Sequence, residues 1–194
     1  MDLVTVFLST FTIVFIGELG DKTQIAAGTG ALANKGSIWT IFYSSSLALI
    51  LAVALAVFFA GLIPSGHLPL IKKVGGALLV LYGVYLFFKT DGPDGGVDLE
   101  LSSKNIWELF FCNFWVVFIA ELGDKTQIAT LAIAIENQLH LSVVFTAAAA
   151  ALVTVTAITV WGATKIPNQW VKKVQQIGAS LMIAYGAYML VSAT

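Results

Sequence analysis

Charged residues and cysteine are scarce in this chain of 194 residues. Only 11% of the residues are charged, all ten basic residues are lysine, and Cys112 is the single cysteine. A lone thiol excludes a disulfide or a multi-thiolate metal site within one chain. The formal net charge of −1 lacks the basic surplus that a nucleic-acid partner requires, so no such partner is expected.

Apolar residues are abundant instead. They make up 58% of the chain, more than a soluble domain of this size carries. The apolar runs predict an all-α integral membrane protein that crosses a lipid bilayer six times. The expected spans are Leu3–Ala33, Ile38–Ile63, Leu68–Phe88, Ile106–Ile135, Leu141–Ala163 and Gln169–Val191. The first and fourth exceed the ~20 residues that cross the hydrocarbon, so we expect them to be tilted, bent or broken.

The two halves of the sequence repeat each other. Residues 18–26 recur unchanged as residues 121–129, an offset of 103 that persists along the halves. Each copy holds three spans, an odd number, so the second copy must enter the membrane from the opposite face. The sequence therefore predicts two inverted three-helix repeats, residues 1–91 and 104–194, joined by an acidic linker at residues 92–103.

The distribution of lysines predicts the orientation. Two lysines, Lys72 and Lys73, fall on one side of the six predicted spans. Six fall on the side of the linker: Lys35, Lys89, Lys104, Lys165, Lys172 and Lys173. Because cytoplasmic loops carry the excess of positive charge, the linker is expected to be cytoplasmic and both termini outside.

Each of the two long spans carries two carboxylates near its middle. An ionised side chain at that depth costs roughly 2.5–3.5 kcal/mol, so such charges must meet each other, water or a ligand. Glu18 and Asp21 are three residues apart, as are Glu121 and Asp124. On a helix this spacing places both carboxylates on one face. Since the repeats are inverted, we expect the four acids to face one another at one depth.

The motif residues around these acids complete a candidate metal site. With Lys22 and Lys125, the four acids carry a net charge of −2 when ionised, which one divalent cation neutralises. Carboxylate oxygens suit Mn²⁺, Ca²⁺ or Mg²⁺. Neutral oxygens are offered by Thr23, Gln24, Thr126 and Gln127, and the candidate hinges are Gly17, Gly20 and Gly123.

Metal and protons compete for the same carboxylate oxygens. When the metal leaves, clustered acids repel one another and some take up protons. This competition is a physical basis for cation/proton exchange, in which Glu18 and Glu121 couple to protons. Lys22 and Lys125 serve either as counter-ions of the empty site or as fixed structural partners.

The motifs Glu18-Leu19-Gly20-Asp21-Lys22-Thr23 and Glu121-Leu122-Gly123-Asp124-Lys125-Thr126 resemble the paired Glu-x-Gly-Asp-Lys-Thr/Ser signature of a transporter family. That family, within the LysE-type superfamily, is associated with manganese and calcium transport in Golgi, chloroplast envelopes and bacteria. The resemblance implies a six-span inverted repeat and cation/proton exchange, with Mn²⁺ as the first substrate and Ca²⁺ as the other. It also implies export of the metal from the cytoplasm, without a cofactor. Eukaryotic members carry extra N-terminal sequence, so a bacterial or cyanobacterial inner membrane is expected here.

Other functions stay open on the residues alone. Asp21 and Asp124 each follow a glycine, as in intramembrane aspartyl proteases, although a protease would not require the two glutamates and two lysines. An organic cation such as a basic amino acid is an alternative substrate. A structural or assembly role and a homodimer are also compatible with the sequence.

Overall fold

The computed structural model describes residues 2–19, 37–88, 105–162 and 168–192. These residues form α-helices and two short 3₁₀ turns, Ser65–His67 and Gln138–His140, with no strand among them. In chain order the helices of the described part are α1 Leu3–Glu18, α2 Ile38–Gly61, α3 Leu68–Phe88, α4 Ile106–Glu121, α5 Lys125–Glu136, α6 Leu141–Gly162 and α7 Asn168–Ser192.

Polar side chains cap a helix start and form hydrogen bonds to the backbone inside the helices. The Asp2 carboxylate accepts a hydrogen bond from the Thr5 backbone N–H at 2.9 Å, which caps α1. Hydrogen bonds from Thr5 also hold the pKa of Asp2 below its ordinary value. Within the helices, the buried Thr10 hydroxyl donates to the Val6 carbonyl at 2.6 Å. A hydroxyl bonded this way can lie in an apolar environment.

Several helices have the length and the exposed apolar surface that are typical of membrane spans. Within the described ranges, Ile38–Gly61 and Gln138–Trp161 are each long and apolar enough to cross a bilayer. Ile106–Glu121 and Lys125–Glu136 form a third candidate if this bent pair is one span. Large apolar side chains such as Leu8, Phe58, Leu81 and Ile119 expose more than half of their surface. Soluble proteins rarely expose so much apolar surface, so the chain is a membrane protein whose described part is entirely helical and turn structure.

Two or three of the six predicted spans are found within the described residues. Leu3–Glu18 is an apolar helix shorter than a span, and so is the apolar part of α7, Ala179–Ser192. The predicted first span continues to Ala33, and residues 20–36 lie outside the described ranges. The six-span count, its inverted repeat and the domain division at residues 92–103 therefore stay predictions.

Helix α2 lies along α4 and then along α5, in the same direction. The Gln127 amide of α5 donates to the Ala52 carbonyl of α2 at 3.2 Å, and the Gln138 amide donates to the Ala60 carbonyl at 2.8 Å. Helix α1 packs against α6. These contacts bring the C-terminal end of α1 and the junction between α4 and α5 to the interior of the bundle.

Helices α3 and α7 cross at a distance that only small residues permit. A β-carbon on Gly186 would lie 2.7 Å from the Gly76 carbonyl oxygen. A β-carbon on Gly83 would lie 2.9 Å from the Ala179 carbonyl oxygen. Small residues allow two backbones to approach in this way and are typical of helix contacts in membranes.

Candidate cation site

The long fourth apolar run is not one straight helix. Helix α4 ends at Glu121, α5 begins at Lys125, and the two are bent by 63°. Between them Gly123 has φ +84°, in the left-handed region that glycine adopts without steric cost. The length of this run predicts a tilted, bent or broken span, and the structure has a bend. The single helix face expected to carry both Glu121 and Asp124 is interrupted, since Asp124 occupies the N-cap position of α5.

One side chain satisfies the backbone at this break. The Gln127 carbonyl oxygen accepts a hydrogen bond from the Gly123 N–H, while its amide nitrogen donates to the Ala52 carbonyl. Backbone groups released by a broken helix need such partners inside a membrane. The sequence suggests Gln127 as a neutral metal ligand, but here its amide connects the break to α2.

Three carboxylates converge at the end of α1 and the break. One oxygen from each of Glu18, Glu121 and Asp124 lies within 4.8 Å of the others. Glu18 is completely buried and Glu121 is 2% exposed. The Asp124 side chain is 23% exposed, and its Oδ2 lies 3.3 Å from the Lys125 Nζ. The turn at Gly123, rather than the periodicity of one helix, brings Asp124 beside Glu121.

The charge and spacing of these groups suit one divalent ion. Three carboxylates and the Lys125 ammonium carry a net charge of −2 when all are ionised. Ca²⁺ binds oxygens at about 2.3–2.6 Å, so two ligands on opposite sides of one ion lie about 4.6–5.2 Å apart. Oxygens within 4.8 Å of one another can therefore share a single ion.

Of the other predicted site residues, some lie within the described part of the structure and some lie outside it. Thr126 is 4% exposed, and a β-carbon on Gly17 would lie 3.6 Å from its Cγ2. The same β-carbon would lie 3.1 Å from the Met182 Cε. Gly17 is helical, since α1 continues to Glu18, so here it provides close packing between helices. Outside the described residues lie Gly20, Asp21, Lys22, Thr23 and Gln24.

Two polar contacts between helices are not predicted from the sequence. The buried Asn113 amide donates to the Ser44 and Ser45 hydroxyls at 2.7 and 2.9 Å. Lys72 Nζ lies 3.1 Å from the Glu136 Oε2. Neither group belongs to the repeated motif. The sequence shows only that these polar residues interrupt an apolar run or stand at its end, and it does not show their partners.

Comparison with known proteins identifies the family. The sequence model of the family described as divalent cation/proton antiporter GDT1 matches residues 6–94 and 109–194. The chain belongs to this family. GDT1 proteins are antiporters and not enzymes, which removes the protease alternative. Transported ions are their substrates, and the family implies no separate cofactor.

Curated relatives of this GDT1-family chain come from plants. GDT1-like protein 1, chloroplastic, of Oryza sativa subsp. indica is 29% identical over 98% of this chain and 63% of the rice protein. Protein PAM71-homolog, chloroplastic, of Arabidopsis thaliana is 27% identical over 93% of this chain and 58% of its own length. The chain thus spans about three fifths of these relatives' lengths. No solved structure matches it. The chloroplast location in the names of these relatives does not fit the bacterial inner membrane that the sequence analysis expects.

Proposed function

We propose that this chain exchanges a divalent cation for protons and that Glu18, Glu121 and Asp124 bind the cation. The observation that carries this proposal is the convergence of three carboxylate oxygens within 4.8 Å, two of them from side chains at most 2% exposed. Buried carboxylates this close together require a compensating cation or protons. The divalent cation/proton antiporter family supports the same chemistry.

Protons substitute for the metal at the same oxygens. With Lys125 beside Asp124, the described cluster needs two positive charges to become neutral, which one divalent ion or two protons provide. Glu18 and Glu121 are the proton-coupling residues in this scheme because they are the most deeply buried of the acids. Lys125 keeps part of the charge compensated while the ions exchange.

The repeat extends the site to residues beyond the described ranges. We propose six spans in two inverted repeats, which place Asp21 and Lys22 beside the described acids. The packing of α1 on α6 and of α2 on α4 supports this arrangement, because the offset of 103 residues relates one pair to the other. Thr23, Gln24 and Thr126 are neutral oxygen ligands in this proposal, and the Gln127 carbonyl oxygen keeps a second lone pair for the metal beside the hydrogen bond that it accepts from the Gly123 N–H. Gly20 and Gly123 are its hinges.

Mn²⁺ is the proposed first substrate and Ca²⁺ the second, because both accept carboxylate and carbonyl oxygens. In this proposal the metal enters the protein from the lysine-rich side, which carries the linker. It leaves the protein on the side of both termini. Since the family exchanges cations for protons, an opposing proton gradient supplies the driving force.

Metal flux in proteoliposomes with an imposed pH gradient tests the proposal. Glu18→Gln and Asp124→Asn each remove one carboxylate while keeping the size of the side chain. We expect the flux of Mn²⁺ to depend on the gradient in the wild type and to fall at least tenfold in both variants. Glu108→Gln is the matched control, because Glu108 is an exposed acid in the first turn of α4, and its flux should be unchanged.

The outcomes separate the parts of the proposal. Flux that persists in Glu18→Gln and Asp124→Asn would place the cation site elsewhere. A folded wild type that carries an organic cation and neither Mn²⁺ nor Ca²⁺ would refute the divalent-cation proposal.

A further inference from the structure

Two stripes of buried side chains lead to the central acids, one on α1 and one on α4. The buried residues of α4 are spaced four apart: Leu109, Asn113, Val117 and Glu121. The repeat relates them to four completely buried residues of α1: Val6, Thr10, Val14 and Glu18. A spacing of four keeps side chains on one face of a helix. Each stripe thus runs from an apolar residue through a polar residue and a valine to the acid.

The stripes approach the acids from opposite ends of α2. Leu109, at the start of one stripe, shares an apolar cluster with Ile41 near the start of α2. Val6, at the start of the other stripe, shares a cluster with Ala60 near the end of α2. Helix α2 is long enough to cross a bilayer. Each stripe therefore runs from a different end of this candidate span toward the central acids.

The polar residues of the two stripes are bonded differently. The Thr10 hydroxyl donates to a carbonyl of its own helix. The Asn113 amide nitrogen instead donates to the Ser44 and Ser45 hydroxyls of α2, at 2.7 and 2.9 Å. In the other half of the repeat, two alanines of α6 correspond to these serines: Ala147 and Ala148. The stripe on α4 therefore has a polar contact with a second helix where its counterpart has apolar side chains.

The Asn113 carbonyl oxygen keeps its capacity to accept a hydrogen bond. The Ser44 hydroxyl donates to the Thr40 carbonyl at 2.7 Å, so it can only accept from Asn113, and the amide nitrogen must face it. The carbonyl oxygen is buried and has no hydrogen-bond partner among the residues that the structure describes. Leaving such a group unsatisfied costs free energy, and water is a common partner for it inside proteins.

We propose that Asn113 is a positioning residue for ion exchange, whose carbonyl oxygen holds water on the route between the start of α4 and Glu121. About 12 Å of helix separates Asn113 from Glu121. Protons that leave Glu121, and a cation that approaches it, therefore need a polar group between the apolar Leu109 and Val117. The inference rests on the proposed function, but it concerns the route on the linker side and not the binding of the cation by the acids.

Measuring Mn²⁺ flux and Mn²⁺ binding on the same variants tests this role. Asn113→Thr copies the residue of the other stripe, so the helix should accept it, but it removes the carbonyl oxygen. We expect proton-driven flux in proteoliposomes to fall about tenfold. The Kd of the purified protein for Mn²⁺, read from the electron paramagnetic resonance signal of the free ion, should change less than twofold. Asn113→Ala, which removes the same oxygen without a branched side chain, should give the same result.

Two further variants separate the carbonyl oxygen from a merely structural contact. Cys112→Thr places threonine one position earlier, at an exposed residue of α4, and should change neither flux nor Kd. The double variant Ser44→Ala with Ser45→Ala removes the contact with α2 but leaves the Asn113 oxygen, so it should keep at least a third of the wild-type flux.

Three results would overturn the inference. Wild-type flux in Asn113→Thr and Asn113→Ala would show that the oxygen is not needed. Equal loss of flux in the double serine variant would make the contact between α2 and α4 the cause. Loss of Mn²⁺ binding together with flux in both Asn113 variants would place their effect at the acids. A wild type without Mn²⁺ or Ca²⁺ flux concerns the proposed function instead, and is read before any variant.

Discussion

Replacement of Gly123 tests whether the bend between α4 and α5 depends on backbone conformation. Gly123 has φ +84°, and a β-carbon added there would meet nothing within 4 Å. Any cost of a side chain therefore comes from the left-handed backbone and not from crowding. Alanine in this region costs about 1–2 kcal/mol. Asparagine tolerates it better, although its side chain is larger.

The expected order of stability is glycine, then asparagine, then alanine. A loss of about 1–2 kcal/mol in Gly123→Ala corresponds to a factor of about 5–30 in the ratio of folded to unfolded protein. Gly123→Asn should lose less than half of that free energy. Since the turn brings Asp124 beside Glu121, Gly123→Ala should also weaken Mn²⁺ binding.

Equilibrium unfolding in detergent, followed by the fluorescence of the five tryptophans, measures these differences. Gly66→Ala is the matched control, because Gly66 also has open space around it but no positive φ. Its stability should be unchanged. If asparagine at position 123 costs as much as alanine, crowding or lost flexibility explains the effect, and the left-handed conformation does not.

Two further substitutions probe the framework of the site by the same unfolding measurement. Gln127→Leu removes the hydrogen bond from the Gly123 N–H within the break and the one to the Ala52 carbonyl of α2, which should cost about 1–3 kcal/mol. Gln127→Glu keeps the acceptor for the Gly123 N–H and should bind Mn²⁺ better than the leucine variant. Gly186→Ala places a methyl group 2.7 Å from the Gly76 carbonyl oxygen and should cost about 1–3 kcal/mol through overpacking. An unchanged unfolding midpoint in Gly186→Ala would mean that α3 and α7 separate without cost.

The central acids could be predicted from the sequence because ionised residues in apolar runs are costly. That cost singles out Glu18, Glu121 and Asp124 in the sequence, and the structure brings these three acids together. The bend could be anticipated from the length of Ile106–Ile135, with Gly123 as the residue that permits it. Helical spacing alone gave the wrong reason for the proximity of Glu121 and Asp124, because it assumed an unbroken helix.

Contacts between distant segments could not be read from spacing. The sequence predicts Gln127 as a free side chain, but in the structure its oxygen accepts from the Gly123 N–H and its amide nitrogen donates to the Ala52 carbonyl, a backbone group 75 residues away. Glu136 escaped notice for a different reason. It lies at the end of an apolar run, where a charge costs little, and its partner Lys72 comes from another helix. Neither residue of that pair has a charged counterpart in the repeat.

The crossing of α3 and α7 resembles the interface of a two-fold symmetric dimer. Gly83 meets the carbonyl of Ala179, and Gly186 meets the carbonyl of Gly76. The offset of 103 residues converts one of these pairs into the other. Each half therefore supplies both the small residue and the carbonyl it packs against, as in an isologous contact. A repeated sequence therefore brings its own complementary surface to this contact, and neither half depends on a residue type that the other lacks here.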